Sequence, residues 1–149
     1  MQHDDRTMQV SNEEFIPIAV SYLTGNRTVN LPLKGSSMRP FVKGERDTAI
    51  LATPHAPVVG EPVLALLPCG QWVLHRIVAI NGDDITLQGD GNLSVEHCKS
   101  SDIKASVIGF YRKGRPKPDL ITSCKWRLYS ALWLALKPLR RILLKICCL

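Results

Sequence analysis

The chain has 149 residues, of which 45% are hydrophobic and 21% are charged. These values are typical of one globular domain with an appendage, and they exclude wholesale disorder. The net charge of +6 is divided unevenly: residues 1–110 carry 9 Lys/Arg and 12 Asp/Glu, whereas residues 111–149 carry 10 Lys/Arg and the single acid Asp119. An acidic body with a basic tail indicates that the tail meets a partner surface.

The sequence lacks the usual signals of export and of metal binding. No apolar run approaches the roughly 18 residues of a membrane-spanning helix, and the polar start MQHDDRTMQ is not typical of a secretory signal peptide. The five cysteines are odd in number and have no C-x-x-C spacing, which disfavours a disulfide framework and a zinc site. We therefore expect a cytoplasmic protein without a cofactor or a metal ion.

The first predicted element is a helix over residues 12–24, which Ser11 or Asn12 can cap and Gly25 ends. Alternating and β-rich segments then predict strands at residues 28–34, 48–52, 62–67, 71–80, 85–88 and 107–112. Asn81 and Gly82 between two of them predict a hairpin, because both residue types accept a positive φ.

This order of elements predicts a mainly β protein, with one small curled or partly closed sheet, a short N-terminal helix and a C-terminal amphipathic helix. We divide the chain into an N-terminal segment with the helix (residues 1–27), a β domain (28–112), a linker (113–123) and a basic helical tail (124–149). The linker assignment rests on the segment KGRPKPD, whose prolines and glycine continue neither a strand nor a helix.

A turn of small residues follows the first predicted strand, with the sequence Gly35, Ser36, Ser37, Met38, Arg39, Pro40. A serine on a tight turn can project its Oγ from the sheet edge while backbone N–H groups converge beside it. These are the requirements for a nucleophile with an oxyanion hole. An ordinary turn without catalytic function has the same composition.

A base and two carboxylates come later in the chain. His75 interrupts an apolar strand beside Arg76, and an imidazole, with a reference pKa of about 6.5, can take a serine proton at neutral pH. Asp90 lies in the segment GDGN and can orient that imidazole, with Glu96 as a second candidate. The alternatives are a buried structural histidine and an ordinary turn. The segment GERD at residues 44–47 predicts another turn.

In order and spacing these segments resemble the signal-peptidase/LexA-like serine peptidases, which carry G-x-S-M-x-P, then a strand with Lys or His next to Arg, then G-D-x-N. The resemblance covers about residues 29–111. It implies a serine endopeptidase in which Ser37 is the nucleophile and His75 the base. It also implies a supporting role for Asp90, as in the endoplasmic-reticulum, archaeal and sporulation-type signal peptidases.

Two departures from the family pattern bear on function. Leader peptidases usually have a serine where this chain has Gly35, so the oxyanion hole would rest on backbone N–H groups around Gly35, Ser36 and Ser37. Leader peptidases also usually have an N-terminal membrane helix and LexA-like repressors a DNA-binding domain. We expect neither: the segment before the β domain is polar to amphipathic and unlike a membrane helix, and the 34 residues before Gly35 are too few for a DNA-binding domain with a second core.

The tail, from Trp126 to Leu149, predicts a basic amphipathic helix that Pro138 kinks or divides. One side of its helical wheel carries Arg127, Ser130, Lys137, Arg140, Arg141 and Lys145, and the other carries Leu128, Leu132, Ala135, Leu139, Ile142, Leu143 and Ile146. With the aromatic residues Trp126, Tyr129 and Trp133, this pattern predicts a helix lying on the inner face of an anionic membrane. Packing against the β domain or a partner protein is the alternative. Nucleic acid is not favoured, because no reading motif is present.

Together these features predict a membrane-associated serine endopeptidase that processes a protein or precursor peptide through a Ser37–His75 dyad. Two other hypotheses remain open. The chain could be an inactive member of the same fold that binds peptides or tethers a partner, or it could be a self-cleaving regulator.

Overall fold

The computed structural model describes residues 12–35, 37–40 and 42–147. They form the helices α1 (Asn12–Ser21), α2 (Cys124–Ala135) and α3 (Arg140–Cys147), with short 3-10 turns at Ser100–Asp102 and Lys137–Leu139. The strands are β1 (Val29–Pro32), β2 (Thr48–Ala52), β3 (Pro62–Leu66), β4 (Trp72–Asn81), β5 (Asp84–Gln88), β6 (Glu96–Lys99), β7 (Ile103–Tyr111) and β8 (Asp119–Leu120).

All eight of these strands belong to one antiparallel sheet, so the prediction of a mainly β protein is confirmed. The order across the sheet is β1-β2-β7-β3-β4-β5-β6, and β8 also pairs with β7. Within the described part of the chain, β1 and β6 end the sheet without pairing with each other, so the sheet is open. The predicted hairpin is confirmed: Asn81 pairs with Asp84, and Gly82 has a φ of 60°.

The core lies on both faces of the sheet because successive strand residues point to opposite sides. Leu64 belongs to a larger cluster, with Val107 and Phe110, that α1 and α2 cover. Its neighbours Val63 and Ala65 belong to a second cluster on the other face. Strand β3 is therefore buried on both sides, as expected for a strand in the middle of a sheet.

Two features differ from the sequence prediction. Strand β6 was missed, since in EHCK only Cys98 is buried and no alternation is visible. The predicted linker holds strand β8, which pairs with Gly109 and Phe110. The tail is divided at Pro138, which was one of the two predicted outcomes: Pro138 lies in the 3-10 turn that separates α2 from α3 and lacks the N–H that a continuous helix needs.

The buried side of α2 is the largest correction to the predicted tail. Trp126 and Trp133 are buried, and the Trp126 ring lies 5.1 Å from that of Phe110. Ser130 and Arg140, expected on an outward cationic side, are buried as well. The aromatic residues therefore pack on the β domain, as the alternative interpretation of the tail proposed. Among the described helices, none has the length and apolar character required to cross a membrane.

Candidate active site

Residues from the turn that contains Ser37 and from strands β1, β3, β4 and β6 line a cleft of about 270 Å³. Its polar lining residues include Ser37, His75, Asn92 and Glu96, with Lys34 and Gln71. Its apolar wall is formed by Ile16, Leu31, Met38, Val42, Leu64, Trp72 and Leu74. The cleft thus combines apolar side chains with convergent polar groups, as ligand sites do.

Two glycines from other segments hold the Ser37 turn by close backbone packing. A Cβ on Gly44 would collide with the backbone of Gly35, and a Cβ on Gly89 would collide with the Ser37 carbonyl oxygen. The Gly91 N–H also donates a hydrogen bond to that carbonyl oxygen over 2.8 Å. The segments GERD and GDGN therefore buttress the serine turn from two sides, and the glycines are required there because no side chain fits.

The serine turn is also fixed from within. Gly35 has a φ of 79°, in the left-handed region that favours glycine. Met38 is buried in the larger core cluster, and its carbonyl oxygen accepts a hydrogen bond from the Val42 N–H. The Arg39–Pro40 peptide bond is cis. Ser36, expected to contribute to the oxyanion hole, lies outside the described residues.

His75 forms a hydrogen bond to Glu96 and not to Asp90. Its Nδ1 lies 2.9 Å from Oε2 of Glu96, and only 4% of His75 is exposed. Because an ionised carboxylate only accepts hydrogen bonds, a neutral imidazole must carry its hydrogen on Nδ1, which leaves a lone pair on Nε2. That is the tautomer a general base needs when its second nitrogen faces a hydroxyl.

The sheet explains how Glu96 reaches His75 across a strand. Strand β5 separates β4 from β6, and its last residue, Gln88, pairs with Arg76. The chain then turns away through residues 89–92, so His75 pairs with Val63 of β3 on one side and has no β5 residue opposite it on the other. Glu96 begins β6 opposite Leu87, at the same end of the sheet.

The expected role of Asp90 is corrected by its contacts. Asp90 is fully buried, and its two carboxylate oxygens accept hydrogen bonds from Nε and Nη2 of Arg76 at 2.8 and 2.7 Å. The Tyr129 hydroxyl donates a third hydrogen bond, at 2.8 Å. Asp90 does not line the cleft. Its carboxylate therefore neutralises a buried cation, and Glu96 occupies the position expected for Asp90.

Arg76 joins strand β4 to the tail helix α2. Its Nη1 donates hydrogen bonds to the Gly60 carbonyl oxygen and to Oγ of Ser130, at 2.8 and 2.6 Å. Its guanidinium also lies 5.4 Å from the centre of the Tyr129 ring. Burial opposes the charged form of Arg76, but the hydrogen bonds and charge of Asp90 outweigh it and raise the pKa.

The same network holds Tyr129 in its protonated form. Burial and the charge of Asp90 raise the pKa of the Tyr129 hydroxyl, so this side chain remains a hydrogen-bond donor at all physiological pH values.

His75 and Arg76, adjacent in β4, thus serve separate tasks: His75 faces the cleft and Arg76 anchors α2. Sequence reasoning missed the contributions of Tyr129, Ser130 and Gly60, which no local motif marks.

The segment GERD at residues 44–47 lies in a turn that is held by local hydrogen bonds. Oδ1 and Oδ2 of Asp47 accept hydrogen bonds from the Arg46 guanidinium, and Oδ2 accepts one from the Lys43 N–H. Burial opposes the ionised carboxylate, but these hydrogen bonds outweigh it and lower the pKa of Asp47. Asp47 therefore fixes the turn that contains Gly44, one of the two supports of the Ser37 turn.

The structure brings Ser37 and His75 to one cleft without a hydrogen bond between them among the described side chains. The other histidines differ in setting. His55 is paired with Glu61 at 2.6 Å on the surface, His97 contacts Thr86, and His3 lies outside the described residues. Within residues 12–35, 37–40 and 42–147 no cluster of three or more His, Cys, Asp or Glu side chains could hold a metal ion.

No protein-family model matches the chain, and no curated protein matches it.

Proposed function

We propose that the protein is a serine endopeptidase of the signal-peptidase/LexA-like type, with a curled β-sheet domain of that superfamily. Ser37 is the nucleophile and His75 the general base. Glu96 is a positioning residue that holds the imidazole in its reactive tautomer. The observation that carries this proposal is the hydrogen bond between His75 and Glu96, formed at the cleft that Ser37 also lines.

In the proposed reaction, Oγ of Ser37 attacks the carbonyl carbon of the scissile peptide bond and its proton passes to Nε2 of His75. Backbone N–H groups around Gly35 and Ser37 stabilise the oxyanion. Collapse of the tetrahedral intermediate breaks the C–N bond, and the imidazolium gives its proton to the leaving amine. Water, activated by His75, then hydrolyses the acyl ester and restores Ser37.

We propose a peptide or protein precursor as substrate, bound along the apolar wall of the cleft. We also propose that the protein works in the cytoplasm, as a peripheral protein at the inner face of a membrane. A precursor that emerges at that face would then be within reach of the cleft. Protease mapping in sealed and opened vesicles tests this location, and a catalytic domain protected in vesicles of cytosolic-side-out orientation would contradict it.

The proposed activity is tested with a library of synthetic peptides of mixed sequence, incubated with the full chain and analysed by mass spectrometry. We expect cleavage that Ser37→Ala and His75→Ala abolish, while Ser94→Ala, at an exposed serine outside the cleft, leaves it unchanged. Peptides retained by the protein but never cut would favour the inactive peptide-binding hypothesis. A shortened intact mass after prolonged incubation of the protein alone would favour the self-cleaving hypothesis.

A further inference from the structure

The outward sides of α2 and α3 expose a row of large aliphatic side chains. Each is 50–67% exposed, and together we call them the tail face: Leu128, Leu132, Leu139, Ile142 and Ile146. Isolated exposed leucines are normal, but a row of them on two consecutive helices is typical of an interaction surface. The tail face lies outside the cleft, because none of its residues lines it.

The orientation of α2 is fixed by its other side, so the tail face cannot turn inward without breaking the core. Leu128 and Leu132 are one helical turn apart. Near the opposite side of the helix, Trp126 packs in the larger core cluster and Ser130 accepts a hydrogen bond from Arg76. These contacts hold the leucines toward the outside.

Helix α3 repeats this arrangement. Arg140 is 2% exposed, and its guanidinium lies 5.4 Å from the centre of the Trp133 ring. Ile142 and Ile146 are displaced around the helix from Arg140 and are 59% and 67% exposed. The apolar row therefore continues from α2 past Pro138 into α3.

The charged residues of α2, α3 and the turn between them are all cations. Those at Arg127, Lys137, Arg141 and Lys145 are exposed and lie next to the aliphatic residues in the sequence. No Asp or Glu occurs anywhere in the sequence after Asp119. A surface of this composition is complementary to a partner that is both apolar and anionic. A second copy of the chain is a poor partner, because a symmetric contact would place two sets of cations opposite each other.

We propose that the tail face binds the surface of a bilayer that contains anionic phospholipids. The aliphatic side chains lie at the boundary between headgroups and acyl chains, and the cations pair with lipid phosphates. The inference deepens the proposed location at a membrane and does not depend on the peptidase chemistry. Because α2 is anchored to Arg76, next to His75, bilayer binding also fixes how the cleft is oriented toward the membrane.

Co-sedimentation of the full chain with vesicles at about 0.15 M salt tests the proposal. We expect binding to vesicles of phosphatidylcholine with phosphatidylglycerol and little binding to phosphatidylcholine alone. Ile142→Glu should weaken binding at least about tenfold, because it removes apolar area and adds a negative charge. The matched control is Ile80→Glu on the β4–β5 hairpin, where Ile80 is also exposed, and it should bind like the wild type.

Arg141→Gln with Lys145→Gln should weaken binding about thirtyfold, because each cation near an anionic surface contributes roughly fivefold. Lys113→Gln with Lys117→Gln, which changes the net charge equally at exposed positions before α2, should have a much smaller effect. Far-ultraviolet circular dichroism of every variant establishes that it is folded.

Several outcomes would overturn the lipid proposal. These are equal binding to both vesicle types, equal losses in the test and control variants, and a dimer in light scattering that Ile142→Glu dissociates. Ser37→Ala should bind vesicles like the wild type. Loss of peptide cleavage with intact vesicle binding, or the reverse, therefore separates a failure of the proposed function from a failure of this inference.

Discussion

Substitutions of Asp90 and of Glu96 distinguish a carboxylate that stabilises the fold from one that is proposed to support catalysis. Asp90 and Arg76 are both 0% exposed and share two hydrogen bonds. Asp90→Asn keeps the shape of the side chain but leaves the buried guanidinium without a counter-charge. Breaking a buried pair by removing one partner costs about 3–5 kcal/mol, and we expect about 3 kcal/mol because asparagine retains one acceptor oxygen.

That loss is a large part of the stability of a small domain, which is about 5–15 kcal/mol in total. It is measured by urea unfolding, followed by tryptophan fluorescence. Asp84→Asn is the matched control, since Asp84 pairs with Lys99 at an exposed site. We expect that control to lose less than about 1 kcal/mol.

The proposed catalysis should depend on Glu96 and be nearly independent of Asp90. The rate at which a fluorophosphonate probe phosphonylates the folded protein should fall about 10²- to 10⁴-fold in Glu96→Gln, because the amide no longer enforces the tautomer of His75. Folded Asp90→Asn should react within about threefold of the wild type. If Asp90→Asn unfolds at the same urea concentration as the wild type yet loses its reactivity, the assignment of the two carboxylates is refuted.

Three further outcomes follow from the same contacts. Gly89→Ala should slow phosphonylation of Ser37 by the probe at least about tenfold, because its Cβ would displace the turn that contains Ser37; an unchanged rate would show that the turn is not rigid. Asp47→Asn should have a lower free energy of unfolding than the wild type at neutral pH, as measured with urea. This difference should shrink as the pH falls below 3.8, the ordinary pKa of the carboxyl, because the pKa of Asp47 is lower in the folded protein than in the unfolded chain. Arg140→Met should raise the melting temperature, since none of the three buried guanidinium nitrogens has a hydrogen-bond partner among the described residues, and a lower melting temperature would show that stacking on Trp133 outweighs that penalty.

The strands that could be predicted are those whose signals are local. Thr48–Ala52 has the predicted bounds because it is apolar and bordered by polar residues. The hairpin at Gly82 follows from the backbone freedom of two adjacent residues. Strand β6 has one buried residue, Cys98, among four, and such a strand is recognisable only through its partner β5.

The part of the site that could not be predicted depends on distant contacts. Asp90 is fifteen residues from His75 and fourteen from Arg76, so spacing alone does not decide which of the two it meets. Strand alternation separates His75 and Arg76 onto opposite faces, and only the fold shows that Asp90 lies on the side of Arg76. Glu96 was named as a candidate, but its strand was not.

The tail was ambiguous for a different reason. Aromatic and aliphatic residues both count as apolar on a helical wheel, and α2 places them on different sides of the helix. Trp126 and Trp133 face the core, whereas Leu128 and Leu132 face outward. Which side of α2 is buried depends on how the helix packs against Arg76 and Phe110, and a helical wheel contains no information about that packing.

The most direct test is to map the site that a fluorophosphonate probe phosphonylates, with peptide mass spectrometry, in the wild type and in His75→Ala. The central claim is that the His75 imidazole makes one hydroxyl of this chain nucleophilic. It requires label on Ser37 alone, at a rate that falls at least a hundredfold in the variant. Label that is absent, that lies on another residue, or that forms equally fast without His75 would contradict it.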